Sequence, residues 1–383
     1  MNIEQKYPSV RDMRKAARKR IPRFAYDYLS GGIGLHSALR NNRDALDNVI
    51  IIPRYLVGNA DHPRTGCTFL GEQYDFPFGV APVGLGGIIW PQAAQHLASA
   101  AQSHNIPFCL SGFATASIGE IADVAGKHAW YQHYMCADEK LNEILFKRAL
   151  DCGYENLIIT VDIPTVTRRD HDIRNGLSVP PRLNLRTLCD AARRPRWAME
   201  TLLSGVPQFQ NYREFFPKNA NLEKIGMFIQ EVIEGHASLE RLKRVRDQWP
   251  HNLIVKGVLN PDDARDCLHI GVDAIVVSNH GGRQLDAAPS AIDCLPAIRD
   301  TVGPDFPLIA DGGVLTGLDI IRYLGKGADF VFAGRAFMYA VGAMGKPGAA
   351  HVMNVLSEEF RCTMAQIGCG KIADLPGFLE PGY

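Results

Sequence analysis

A histidine, two glycines and an arginine stand side by side at His280-Gly281-Gly282-Arg283, inside the stretch Ser278-Asn279-His280-Gly281-Gly282-Arg283-Gln284-Leu285-Asp286. An imidazole titrates near neutral pH and is the usual general base. A guanidinium grips a carboxylate with a planar fork of donors. The glycines allow a sharp, exposed backbone. Together these groups suit a substrate that carries a carboxylate beside a group that must lose a proton. The plain alternative is a turn with a capping His and a solvated Arg. The apolar run Ala274-Ile275-Val276-Val277 just before the motif reads as a buried strand, and packing alone does not explain a strand that ends this way.

Other residues of chemical interest also close apolar runs. Thr160-Val161-Asp162 puts a carboxylate where it can orient an imidazolium and stabilise its charge, and Arg168-Arg169 follow shortly. Lys256 sits in mid-run, within Ile254-Val255-Lys256-Gly257-Val258, where a buried ammonium is expensive unless it is paired. Period-two spacing puts Gln132 and Tyr134 on one strand face, as neutral donors for a ligand or as core residues with satisfied polar ends. Ala81-Pro82-Val83-Gly84 supplies a backbone that can lie close to a flat ring, and taken alone it is also an ordinary turn. Asp311-Gly312-Gly313 and Gly334-Arg335 together form a phosphate cradle, since glycine amides after the last two strands are the common phosphate site of a (β/α)8 barrel.

The elements that must position these groups follow from the rhythm of the chain. Strand candidates fall at 78–81, 108–110, 130–134, 157–161, 253–258, 274–277, 308–310 and 330–332, with helical segments at 92–103, 139–151, 238–248, 262–268, 318–324 and 336–343. Eight strands, each followed by a helix, make an α/β fold, the closed (β/α)8 or TIM barrel. An open doubly wound sheet is the rival, and no Gly-x-Gly-x-x-Gly opens a helix after the first strand to support it. Before the barrel, residues 9–29 read as one or two helices with Ser9 as cap, a basic face and a restart at Pro22, closing at Gly31-Gly32. One domain over 1–383 results: an N-terminal lead-in (1–75), the barrel (76–345) with an insertion or lid at 163–236, and a C-terminal helix and tail (346–383). The insertion runs about seventy residues, far beyond an ordinary loop. It mixes Arg193, Arg194 and Arg196 with Trp197, Met199, Leu202 and Leu203, which suits a folded lid or a monotopic patch on anionic lipid through 183–210.

Composition bounds the rest. With 41 Lys+Arg against 41 Asp+Glu the net charge is zero, which argues against a nucleic-acid partner. Nine cysteines without a Cys-x-x-Cys pair read as small buried residues in a reducing compartment rather than a zinc site or disulfides. No metal site is expected. No apolar run spans a bilayer and the N-terminus has no signal-peptide core, so the expected location is the cytoplasm, with peripheral contact at the inner face of the cell membrane.

The nine-residue stretch 278–286 resembles the signature of the FMN-dependent 2-hydroxy-acid oxidase and dehydrogenase family, which includes glycolate oxidase, lactate and mandelate dehydrogenases and flavocytochrome b2. The resemblance extends from about residue 7 to about residue 370 and implies the same barrel. It implies FMN as cofactor, contacted by Ala81, Pro82, Val83, Ser111, Gln132, Thr160, Lys256, Ser278, Asp311, Gly312, Gly313, Gly334 and Arg335. It implies His280 as base with Asp162 behind it, and Lys256 facing the reduced flavin. Arg169 and Arg283 are then the carboxylate grip, helped by Tyr28, with Tyr134 on the substrate oxygen and Phe113 shaping the pocket where glycolate oxidase has Trp. Gly84, Trp90-Pro91 and the Arg-rich insertion resemble the mandelate dehydrogenase branch. Leu315 departs from the family's usual Arg beside the phosphate. The resemblance implies oxidation of an (S)-2-hydroxy acid, mandelate-like or lactate, to the 2-oxo acid, with electrons passing to a quinone-type acceptor and tetramers as the usual assembly. A soluble oxidase that reduces O2 to hydrogen peroxide is one alternative. A non-redox flavin isomerase of the type 2 isopentenyl diphosphate isomerase kind and a non-catalytic phosphate-ligand barrel are the others.

Overall fold

The apolar runs become strands whose every residue, or nearly every one, is buried, because helices cover their outer faces and their inner faces fill the barrel. A computed structural model describes residues 2–56, 62–165, 167–177, 185–216, 222–233 and 236–380. Eight parallel strands close into a barrel in simple sequential order: β1 (Phe78–Val80), β2 (Phe108–Ser111), β3 (Ala129–Tyr134), β4 (Asn156–Thr160), β5 (Asn252–Val258), β6 (Ala274–Val277), β7 (Leu308–Asp311) and β8 (Phe330–Ala333). The expected barrel is therefore present and the open sheet is not. Inside it, Trp130, Ile158, Ile254, Val276, Ile309, Phe330 and Phe332 form a buried apolar plug. A short hairpin, Cys67–Phe69 with Glu72–Tyr74, was not anticipated. It closes the N-terminal mouth by stacking Phe69 on Trp130 and Phe330 at centroid distances of 6.3 and 5.0 Å. With that end stopped, chemistry is confined to the C-terminal ends of the strands.

The lead-in holds three helices of at least two turns, Val10–Arg20, Arg23–Ser30 and Ser37–Asn48. Ser9 Oγ accepts from the Asp12 amide as the N-cap of the first, and the second ends at Gly31. The third was not expected as a helix, because no cap precedes it: His36 stands at φ 63° and makes no side-chain cap. Its first turn is capped from across the fold, where Asp286 accepts from the amides of Leu35 and Ala38 at 2.8 and 3.1 Å. This helix lies across the barrel mouth, and Asn42 and Asn279 exchange two side-chain hydrogen bonds of 2.8 and 2.7 Å.

The insertion folds into the helices Asp170–Arg174, Leu185–Ala192, Pro195–Ser204 and Leu222–Ile233. Residues 178–184, which include the start of the expected basic-aromatic patch, lie outside the described residues. Trp197 fastens the third helix by donating to Ile88 O at 3.2 Å and by an edge contact on Phe24 at 5.7 Å. Met199, Leu202 and Leu203 on the same helix stand exposed, at 56%, 84% and 79%.

Candidate active site

The strand ends surround one cavity of about 1380 Å³, and the lead-in and insertion wall its sides. Tyr28, Ala81, Pro82, Val83, Gly84, Phe113, Tyr134, Thr160, Arg169, Lys256, His280, Arg283, Asp311, Gly312, Gly313, Leu315, Gly334 and Arg335 all line it. Asp162, Ser111, Gln132 and Ser278 stand one layer behind, each joined to the lining by hydrogen bonds or chain neighbours.

After β6 the backbone takes three consecutive left-handed residues, His280 (φ 57°), Gly281 (φ 63°) and Gly282 (φ 74°). Left-handed backbone at a non-glycine residue is strained and persists only where the surroundings hold it. Here Ser278 Oγ accepts the His280 amide at 3.0 Å, and Asp162 takes the ring. Asp162 lies 3.0 and 3.2 Å from His280 Nδ1 through its two oxygens. That places the proton of the neutral ring on Nδ1 and leaves Nε2 as the acceptor. Burial pushes the His280 pKa down; Asp162 pulls it back only in part, and Lys256 and Arg169 depress it further. Burial would raise Asp162, but the His280 charge and hydrogen bond outweigh it and hold the carboxyl below its ordinary value. The pair is a carboxylate behind an imidazole whose charged form is disfavoured by burial.

Lys256 resolves the question raised by an ammonium in mid-strand. Its Nζ lies 3.0 Å from Asp311 Oδ2 on β7 and 2.7 Å from Ser278 Oγ, while Ser278 donates to Asp311 at 2.5 Å. Burial alone would lower the Lys256 pKa; Asp311 and then Asp162 raise it above the usual value. The amine stays charged at the cavity floor.

Across from it, the Arg283 guanidinium lies over the Tyr28 ring at 4.8 Å and donates to Tyr28 O and Gly31 O. Burial, and next the neighbouring Arg169, lower its pKa to about 10. Two guanidinium groups this close repel each other, and a carboxylate between them would relieve the repulsion. Asp172, which sequence reading passed over, offsets part of it from 3.5 Å away from Arg169. Its place three residues on, on the next helical turn, was the available signal. The Tyr28 hydroxyl donates to Gly84 O at 3.0 Å. Phe113 stacks on Tyr134 at 4.9 Å and on Tyr212 at 5.3 Å, with the Phe209 edge at 5.7 Å. Phe209 and Tyr212 come from the insertion and were not anticipated, since nothing local ties them to β2.

Two orphan groups test whether a flavin fits. Gln132 Nε2 on β3 and Thr160 Oγ1 at the end of β4 are buried with no partner in the protein, although Gln132 Oε1 accepts from Ser111 Oγ at 3.0 Å. Buried donors are rarely left unmade, so two of them on adjacent strands next to a large cavity imply a ligand with a polar edge. The open backbone at Gly312 (φ 108°) and Gly313 (φ 77°) suits an anionic end. These residues fit FMN: polar groups for the ring edge, an ammonium at the floor, and glycines for the phosphate.

A family profile described as FMN-dependent dehydrogenase matches residues 17–380. Among curated relatives, the chain is 35% identical to an L-lactate dehydrogenase of Xanthobacter autotrophicus over 370 residues, covering 96% of this chain and 94% of that one. It is 36% identical to an L-lactate dehydrogenase of a Caulobacter species over 361 residues, covering 94% of each. Among crystal structures, the monotopic membrane protein (S)-mandelate dehydrogenase superposes with a TM-score of 0.91 at 33% identity, covering 97% of this chain and 98% of that one. A soluble mutant of the membrane-associated (S)-mandelate dehydrogenase from Pseudomonas putida gives 0.82 at 32% identity, covering 97% and 99%. With the profile spanning nearly the whole barrel and these relatives aligned end to end, the chain belongs to the FMN-dependent dehydrogenase family.

Proposed function

We propose that this enzyme oxidises an (S)-2-hydroxy acid to the 2-oxo acid with FMN. The observation that carries the reading is one arrangement: an imidazole backed by Asp162 at 3.0 Å in the same cavity as the guanidinium groups of Arg169 and Arg283. FMN, when bound, takes up the two electrons that leave the alcohol. Arg169 and Arg283 hold the substrate carboxylate, Tyr28 helps by carrying the Arg283 guanidinium on its ring, and Tyr134 offers its hydroxyl to a substrate oxygen. His280 Nε2 receives the proton that leaves the substrate's hydroxyl or its carbon, and Asp162 stabilises the imidazolium that forms. Lys256, fixed by Asp311 and Ser278, would supply positive charge to the bound cofactor. Gln132, Thr160 and Ser111 would hold its polar ring groups, Ala81, Pro82 and Val83 would pack on the ring, and Gly312, Gly313, Gly334 and Arg335 would hold the phosphate.

The aromatic wall of Phe113, Tyr134 and Phe209 favours a substrate with a large, flat side chain, so mandelate-like acids come first and lactate second. For the electron acceptor we favour a membrane quinone. The exposed Met199, Leu202 and Leu203 beside Arg194 and Arg196 present an apolar face with a basic rim, the composition that seats a helix at an anionic lipid surface. No helix among the described residues is long and apolar enough to cross a membrane, so this contact is peripheral. Homo-oligomeric assembly belongs to the same proposal. The test is an anaerobic panel of 2-hydroxy acids monitored by bleaching of flavin absorbance, then reoxidation by O2 or by a quinone analogue. No bleaching by any hydroxy acid refutes the reading, and faster reoxidation by O2 transfers the chain to the oxidases.

A further inference from the structure

The carboxylate of a 2-hydroxy acid takes no part in its oxidation. It is the same group in the substrate, in the transition state and in the 2-oxo acid, so a grip on it binds all three alike. Such uniform binding lowers KM without raising kcat, and it holds the product as firmly as the substrate. Two guanidinium groups on one carboxylate make a firm grip. Arg283 spends NH1 on Tyr28 O at 2.7 Å and on Gly31 O at 3.1 Å, and Arg169 spends Nε on Arg283 O at 3.3 Å. Both keep further N–H groups for a ligand.

The cavity brings a carboxylate of its own to this grip. Among the described residues, Asp172 and Asp311 are the two acids that line it. Asp311 is spent on Lys256 at 3.0 Å and on Ser278 at 2.5 Å. Asp172 is held far more loosely. Its side chain is 15% exposed, and Oδ2 stands 3.5 Å from Arg169 NH1, where a charge-assisted bond is ordinarily about 2.7–2.9 Å long. Burial raises the Asp172 pKa, and the charges of Arg169 and then Arg283 pull it back only in part. A carboxylate so weakly paired gives way to a better-placed one. Its charge stays nearby, however, and like charges side by side oppose binding.

Resting on the hydroxy-acid reading above, we propose that Asp172 is a built-in counter-carboxylate, which shares Arg169 with the bound acid and loosens the grip so that the 2-oxo product leaves. Asp172 belongs to the helix Asp170–Arg174 at the start of the insertion. The segment that walls the cavity therefore also sets how long an acid stays in it.

Asp172→Asn keeps the shape of the side chain and removes its charge. Titration of the yellow holoenzyme with phenylacetate, which lacks the 2-hydroxyl and cannot be oxidised in this way, reads binding through the flavin absorbance. The variant is expected to bind phenylacetate, and the 2-oxo acid phenylglyoxylate, on the order of tenfold more tightly, because a like charge beside the bound anion is gone. KM for the hydroxy acid falls in step, and kcat does not rise. Asp172→Glu keeps the charge and stays close to wild-type affinity. Weaker binding by Asp172→Asn overturns the proposal and makes Asp172 a residue that only aims Arg169; unchanged binding overturns it as well. A wild-type flavoprotein that responds to no carboxylate and is bleached by no hydroxy acid refutes the hydroxy-acid reading itself.

Discussion

Gly257 and Asp162 are in backbone-to-side-chain contact: a β-carbon on Gly257 would lie 2.6 Å from Asp162 Cβ and 3.0 Å from its amide nitrogen. Gly257 has φ 105° and coincides with a register shift in the pairing of β5 with β6, between Lys256 and Val258. An irregularity of this sort re-aims the side chains beside it. Here it turns Lys256 into the cavity and clears the space in which the carboxylate behind His280 stands. Gly257→Ala is therefore expected to displace Asp162 and lower kcat on the order of 10²-fold, the usual cost of a misplacement near 1 Å. Steady-state kinetics beside an unchanged flavin spectrum read this out, and wild-type kcat in the variant would refute the coupling.

His280→Ala should keep the yellow cofactor and lose on the order of 10²–10⁴-fold in turnover. The pH profile carries its own sign. The His280 pKa is depressed by burial, so the acid limb of kcat/KM should fall below the ordinary imidazole value of about 6.5. Asp162 raises that pKa. Asp162→Asn should thus move the limb to still lower pH while slowing the reaction, and an upward move would contradict the pairing.

Lys256→Met leaves Asp311 buried without its counter-charge. Breaking a buried pair from one side costs about 3–5 kcal/mol, measurable as a lower denaturant midpoint of the apoprotein. Lys256→Met with Asp311→Asn removes both charges and should recover most of that loss. Equal destabilisation in the single and double variants would mean that the pair is not the source.

Arg283→Lys should raise KM for the hydroxy acid on the order of 10-fold or more, because an ammonium cannot reproduce the planar fork over Tyr28. Inhibition by a non-oxidisable carboxylate should weaken in parallel, which separates carboxylate binding from chemistry.

Leu202→Asp and Leu203→Asp should each reduce sedimentation with anionic vesicles on the order of tenfold, from lost apolar burial. Turnover with a soluble acceptor should hold, since both side chains point away from the cavity walls. Undiminished vesicle binding by the double variant would move the membrane contact elsewhere.

Much of this enzyme is written in local pattern. Runs such as Ala274–Val277 and 308–310 are continuous apolar strands because both of their faces are covered, and that pattern is legible without coordinates. So are the groups at their ends, since a barrel gathers its strand termini at one mouth wherever it closes. His280, Asp162 and Arg283 were found in this way, Lys256 by its place inside an apolar run, and Arg169 through the family resemblance. The partners of those groups were not legible. Asp311 next to Lys256, Gly257 against Asp162, Asp286 capping the helix of Ser37–Asn48, and Phe209 and Tyr212 on Phe113 all join segments far apart in the chain. Such contacts depend on how the strands register and on where the insertion lands, and neither has a repeat that a sequence displays. Arg335 makes the same point: it lines the cavity beside Gly334, and its further bonds to the carbonyl oxygens of Leu29, Gly281 and Gly31 come from segments that no local pattern brings together. Residue types and spacing determined which chemistry was available to this chain. Only the packing of distant segments decided which charges are spent on the protein itself and which are left for a ligand.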